Sequence, residues 1–354
     1  MSSTEVAADE PVAWFGGRLA TGLAEVTDDP AALDTAGWWA VVVTFEGRVR
    51  CARFADVRPA PLPAAGWPGV PEGSWSSSLD RAGYVERVSR LRDGIAAGDH
   101  YQVNLCRVLN APLPAEADLA GLAARLAVGN PAPYAGLVRL PAEDLEVVSA
   151  SPELFLARDG DRVSSGPIKG TATEVAGLTA KDRAENVMIV DLVRNDLGAV
   201  AVTGSVEVPA LNAVEAHPGL VHLVSTVRAT LRPGAGWPDL LAAAFPPGSV
   251  SGAPKSSALR AIAELEPVPR GPYCGAVGWV DATARRGTLA VGIRTFWATG
   301  AGPGRALHLG TGAGITWGSD PAAEWDETEL KARRLRAVAA TPSTGPDSGT
   351  RSGR

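Results

Sequence analysis

Cysteine is scarce in this chain of 354 residues, and the three present, Cys51, Cys106 and Cys274, are far apart and form no CxxC pair. That excludes a disulfide framework and a cysteine-rich zinc site, and it suits a reducing, cytoplasmic setting. No apolar run approaches the ~20 residues that a membrane helix needs. The opening residues are acidic and polar, unlike a secretory signal. Basic clusters are absent and the formal net charge is −6, so neither nucleic acid nor a membrane surface is the expected partner. Only four histidines occur, with no Gly-x-Ser-x-Gly elbow, no Ser-His-Asp set and no Walker or dinucleotide fingerprint. No repeat of 20 to 50 residues is visible.

What is present reads as an α+β chain. Residues 1–12 and 340–354 have the composition of disordered ends. Residues 13–78 form a short β-rich portion packed on the core, with a hairpin over 38–54 and a Pro/Gly-rich connection over 59–78. Residues 79–339 carry alternating helix and strand signals. Tyr84, Val88, Leu91 and Ile95 predict a helix over 80–97 that stops at Gly98. Thr179 to Asp182 is a capping-box start to a helix reaching Gly198, and Ser319-Asp320-Pro321 caps a last helix to about residue 339. Strands are expected over 145–149, 275–281, 288–296 and 306–315.

Four features carry possible chemistry. Glu324, Glu327 and Lys331 fall on one side of the last helix. An exposed Glu–Lys ladder and a hard-cation site both fit that spacing. Glu185 shares a helical face with Met188, Ile189 and Leu192, so it calls for a cation, either an arginine or a metal. Lys169 lies among turn-formers in Ser165-Gly166-Pro167-Ile168-Lys169-Gly170-Thr171. A loop lysine is ordinarily a solvated charge, whereas a desolvated one can lose its proton and act as a nucleophile. The glycine-rich strings Gly310-Thr311-Gly312-Ala313-Gly314 and Ser249-Val250-Ser251-Gly252-Ala253-Pro254-Lys255 offer backbone N–H groups to an anion.

Longer strings narrow the reading. Gly98-Asp99-His100-Tyr101-Gln102-Val103-Asn104-Leu105, Ser151-Pro152-Glu153, Pro167-Ile168-Lys169-Gly170-Thr171, the stretch 181–198, the Ser249-to-Lys255 string, Ile293-Arg294-Thr295 and 310–331 occur in order. This series resembles the chorismate-binding enzymes, which include the component I chains of anthranilate and aminodeoxychorismate synthases and the isochorismate and salicylate synthases. The resemblance covers residues 80–338 and implies a sandwich of two antiparallel sheets with flanking helices. It implies Mg²⁺ on Glu185 and Glu327 with Glu324 nearby, and carboxylate recognition by Tyr273, Arg294, Lys331, Thr171 and the backbone of Gly312, Ala313 and Gly314. It further implies Glu153 as general acid and His222 beside the substrate ring.

Anthranilate-forming relatives resemble Pro-Ile-Ala-Gly-Thr where this chain has Lys169, and water-using relatives have a lysine where it has Gln102. The resemblance therefore implies chorismate amination at C4, the reaction of aminodeoxychorismate synthase component I. Lys169 would add to C2, and ammonia would then displace it. No Gly-x-Cys-x-Gly glutaminase elbow is present, so the implied ammonia source is a separate glutamine amidotransferase subunit in a heterodimer. The chain departs from the family pattern after Thr171, where the connection to Lys181 is short, and it lacks a Leu-Leu-Glu-Ser string.

Overall fold

The computed structural model describes residues 6–342 except 8, 173, 218 and 219, with no side-chain placement for 171, 172, 180, 181, 216, 217 and 220. The outermost ends, residues 1–5 and 343–354, lie outside the described residues. The inner part of the expected disordered start is ordered. Val12–Phe15 is a strand, and the buried Arg139 guanidinium donates to the carbonyls of Ala7 (2.6 Å) and Glu10 (3.1 Å).

The strands form one continuous antiparallel ladder. Leu220–Thr230 pairs with Glu207–His217, Ile168–Ala172 and Arg162–Gly166. From Arg162–Gly166 the ladder runs through Leu154–Asp159, Arg286–Val291, Ala276–Asp281, Trp38–Val43, Val49–Pro59 and Arg18–Thr27 to Val12–Phe15. Val12–Phe15 also pairs with Tyr134–Leu140, which leads through Leu145–Ser151, Thr295–Thr299 and Ala306–Ile315 to Gln102–Pro112. The two expected sheets are thus the halves of this ladder, joined by one four-residue strand. Their facing sides close on a single core, where Trp38, Phe155 and Val277 of one half pack with Cys106, Val138 and Trp297 of the other.

Among the described residues, six α-helices cover the sandwich: α1 Arg81–Ala97, α2 Leu119–Gly129, α3 Ala180–Gly198, α4 Trp237–Ala244, α5 Lys255–Leu265 and α6 Pro321–Ala340. Local chemistry sets their ends as the sequence predicts. Asp80 accepts from the Gly83 N–H at the start of α1, and Gly98 ends it in the left-handed region (φ 87°). Thr179 and Asp182 close a reciprocal capping box on α3, and Asp320 accepts from the N–H groups of Ala322 and Ala323 on α6. Helices α2 and α6 seal the outer side of the second half with α6 residues Ala332 and Leu335. Apolar side chains of α1 and α5 pack on Val103, Leu105, Ala313 and Ile315.

Three expectations change here. The connection over 59–78 is packed rather than linker-like, because Trp67 is 2% exposed and donates its indole N–H to the Ala339 carbonyl at 2.7 Å. The β-rich N-terminal portion is not a layer added to the core, since its strands lie in the middle of the ladder. The expected strand over 288–296 is two strands, Arg286–Val291 and Thr295–Thr299. The chain breaks between them because Gly292 lies against the Pro272 carbonyl, which a Cβ there would meet at 2.1 Å, and Arg294 turns into the left-handed region (φ 51°).

Candidate active site

The strand Ile168–Ala172 brings Lys169 inward. A register shift between Lys169 and Thr171 puts Lys169 opposite Leu223 and Thr171 opposite His222. Gly170 occupies that irregularity with φ 73°, where a Cβ would lie 2.9 Å from the Asp182 side chain in the first turn of α3. Lys169 is half-buried, and its Nζ donates to the Ser249 carbonyl at 3.2 Å. Desolvation lowers its pKa below the ordinary lysine value; Glu185, Glu153 and Glu327 oppose that shift and Lys331 adds to it. Side chains from three separate stretches, Glu153, Glu185 on α3, and Glu327 with Lys331 on α6, therefore act on one amine.

Glu153 follows Pro152 at the end of the strand Leu145–Ser151. Its carbonyl accepts from the Val291 N–H at 3.0 Å, and the Ser151 hydroxyl donates to the Val291 carbonyl at 2.6 Å. The side chain is 4% exposed. Burial pushes its pKa above the ordinary carboxylate range, against the pull of the Ser249 hydroxyl, the Lys169 charge and the Ile168 N–H. A carboxyl whose pKa is raised beside a lysine whose pKa is lowered is the pairing that suits an acid and a nucleophile. His222 is buried (2% exposed) on the neighbouring strand, opposite Thr171. The Thr171 side chain lies outside the described residues.

The strand Ala306–Ile315 supplies a floor with no side chains on alternate positions. At Gly310 a Cβ would fall 2.0 Å from the buried Tyr273 ring; at Gly314 it would fall 2.5 Å from Gln102 Nε2 and 3.9 Å from Lys169 Nζ. Side chains from three directions thus approach this backbone closely. Lys331 of α6 donates to the Gly312 carbonyl at 3.0 Å and pairs with Glu327 at 2.7 Å. Arg294 is half-buried and has no carboxylate within 4.0 Å among the described residues; burial and the nearby Arg334 depress its pKa. An unneutralised guanidinium in such a place favours an anion.

The three glutamates implied as metal ligands do not gather into one three-ligand group among the described residues. Glu185 on α3 and Glu327 on α6 both act on Lys169, whereas the buried Glu324 acts on Tyr84. Two carboxylates from different helices still fit a small hard cation, because Mg²⁺ commonly takes one or two protein carboxylates and fills its shell with water and substrate oxygens.

Two features escape a reading of the sequence. Ser249 touches both Lys169 and Glu153, although its string suggests only an anion loop. Arg270, 1% exposed, joins Glu266, Val250 and Asn104 with nothing in its local pattern to mark it as buried. The raised pKa of Glu153 also predicts a trade-off. With a folded pKa above its unfolded one, Glu153 costs stability once pH rises through the folded pKa, because a buried carboxylate then loses its proton. Glu153→Gln should therefore melt no lower than the parent at pH 8 while losing at least about a hundredfold in turnover. Scanning calorimetry and a chorismate-consumption assay check the two halves; a large drop in melting temperature would contradict the first.

The chain matches the family described as chorismate binding enzyme over residues 55–337. It is 40% identical over 279 residues to anthranilate synthase component 1 1 of Haloarcula marismortui, covering 75% of this chain and 55% of that protein. It is 39% identical over 274 residues to aminodeoxychorismate synthase component 1 of Salmonella typhimurium, covering 74% and 58%. It thus spans little more than half the length of these relatives. Among solved structures, the menaquinone-specific isochorismate synthase of Escherichia coli superposes with a TM-score of 0.77 at 19% identity over 95% of this chain and 90% of that one, a likeness of fold.

Proposed function

The chain belongs to the chorismate-binding enzyme family, and from that premise we propose that it converts chorismate and ammonia to 4-amino-4-deoxychorismate. One observation carries this reading: Lys169 is desolvated, with its Nζ on the Ser249 carbonyl and Glu153 acting on its charge. Arg294, Tyr273 and the glycine strip receive the substrate's carboxylates. Neutral Lys169 adds to C2. The ring double bonds shift, and the C4–O bond breaks as Glu153 gives its proton to the departing hydroxyl, which leaves as water. Ammonia then adds at C4, the double bonds shift back, and the C2–N bond breaks to return the lysine. Mg²⁺ held by Glu185 and Glu327 would neutralise the ring carboxylate and draw electron density toward it.

Gln102 favours ammonia over water as the nucleophile. It is 1% exposed, its Oε1 has no hydrogen-bond partner among the described residues, and an amide is no base for water. Its carbonyl oxygen can accept an N–H from the incoming amine. The ammonia source in this reading is a separate glutamine amidotransferase subunit, and the product feeds 4-aminobenzoate formation. An anthranilate-type reaction is the second reading, favoured by the Haloarcula relative's name and disfavoured by Lys169.

Chorismate, ammonium and Mg²⁺ incubated with the purified chain should give a product that a 4-amino-4-deoxychorismate lyase turns into 4-aminobenzoate. Quenched samples should show an added mass on the Lys169 peptide. Anthranilate as the sole amine product would sink the proposal.

A further inference from the structure

The short turn Gly248–Val250 sits between the acid and the lysine, and it is fastened from every side. Three successive carbonyls take donors from three parts of the chain: Ser249 from Lys169 Nζ (3.2 Å), Val250 from Arg270 Nη1 (2.8 Å) and Ser251 from the Asn104 N–H (2.9 Å). The Ser251 hydroxyl donates back to the Pro247 carbonyl at 2.9 Å. Lys255 ties the segment to α3 through Asp196 (2.9 Å) and to the Ala244 carbonyl (3.1 Å). Gly248 packs against Leu192 of α3, whose side chain a Cβ would meet at 3.2 Å. A turn held at so many points cannot drift, so what Ser249 touches is held as well. Ser249 is 7% exposed, lines the same cavity as Glu153, and its hydroxyl pulls the Glu153 pKa down against the effect of burial.

We propose that Ser249 is a positioning residue that sets Glu153 and Lys169 in register with each other, its hydroxyl on the acid and its carbonyl on the amine. The inference rests on the lysine-adduct reading above and assigns a residue which that reading leaves without a role. Each contact does something definite in the reaction. A neutral lysine that gives one N–H to the Ser249 carbonyl has its lone pair directed away from that carbonyl, free for C2. As Glu153 hands its proton to the leaving hydroxyl, the Ser249 O–H remains to stabilise the new carboxylate. One rigid residue thus ties the orientation of the attacking group to that of the departing one.

The test uses the full chain with chorismate, ammonium and Mg²⁺, comparing Ser249→Ala with Ser249→Thr. Ser249→Ala should lower kcat for C4 amination about 30- to 100-fold, within the range for perturbed acid–base catalysis, with KM for chorismate within about threefold of the parent. Ser249→Thr, which restores the hydroxyl, should recover kcat to within about fivefold of the parent. The proposal is overturned if Ser249→Ala keeps its kcat. It is equally overturned if KM rises in step with the loss, which would make Ser249 a plain substrate contact. Failure of Ser249→Thr to rescue would show that size, and not the hydroxyl, matters. Should Ser249→Ala not fold, Ser249→Cys takes its place, and the same split between kcat and KM decides. A parent enzyme that makes only a 2-amino product overturns the lysine-adduct reading and the Lys169 half of this proposal. The Glu153 half is then judged by the same variants on that product.

Discussion

Lys169→Ala should lose the 4-amino product by at least about a hundredfold, the scale of a lost covalent path, and the turnover that remains should move to C2. The substitution recreates the Pro-Ile-Ala-Gly-Thr string of anthranilate-type relatives, so ammonia finds C2 open while Glu153 can still protonate the C4 hydroxyl. Chromatography of the products with and without the lyase reads both the loss and the shift. An unchanged yield of 4-aminobenzoate would remove lysine from the mechanism. In the parent, the rate should rise with pH as Lys169 loses its proton, at a value below that of free lysine, and fall as Glu153 loses its own. Because the two groups act on each other, the limbs report the pair rather than either residue. Stability carries its own sign. Lys169 has a folded pKa below its unfolded one, so the native state binds fewer protons between the two values. Stability of the parent relative to Lys169→Ala should therefore rise as pH climbs through that window.

Arg270→Met should cost about 3–5 kcal/mol, the penalty for breaking a buried ion pair from one side. The guanidinium holds Glu266 with both Nε (2.8 Å) and Nη2 (2.6 Å), lies 4.1 Å from the Phe45 ring centroid and also serves the Val250 and Asn104 carbonyls. The two side chains are 1% and 5% exposed. Without the arginine, the Glu266 carboxylate keeps the Cys106 N–H at 2.8 Å but no opposite charge. For a chain of this size the loss is a fall of about 5–10 °C in melting temperature. The double variant Arg270→Met with Glu266→Leu should recover most of it, because both charges then leave together. A single variant that melts within about 1 °C of the parent would show that water reaches the pair. Catalysis should weaken as well, since the Val250 carbonyl is one of the points that fix the Ser249 turn.

Local sequence was a sound guide wherever the cause is local. Asp80 with Gly98, Thr179 with Asp182, and Asp320 with Pro321 place helix ends because capping is settled within a few residues. The alternation of glycines at 310, 312 and 314 belongs to one strand and is legible as such. Trp67 was not, since its burial depends on Ala339 at the far end of the chain. Nor was the break at Gly292, which Pro272 imposes from a neighbouring loop.

The same division runs through the site. By itself the sequence determined which groups are available: a lysine between turn-formers, a Ser-Pro-Glu carboxyl, glutamates on two capped helices and a strand without side chains. Whether Lys169 is a solvated charge or a desolvated nucleophile was undecided at that level, because the groups that surround it come from separate elements, Glu153 and Glu185 to either side of it in sequence and Ser249, Glu327 and Lys331 much further along. Tertiary structure withdrew that amine from water and lowered its pKa. It set Glu153, Glu185, Glu327 and Lys331 around one amine, stood Ser249 between Glu153 and Lys169, and left Glu324 beside Tyr84. Charges and hydrogen bonds act across a few ångströms of space, and only folding determines which residues are that close.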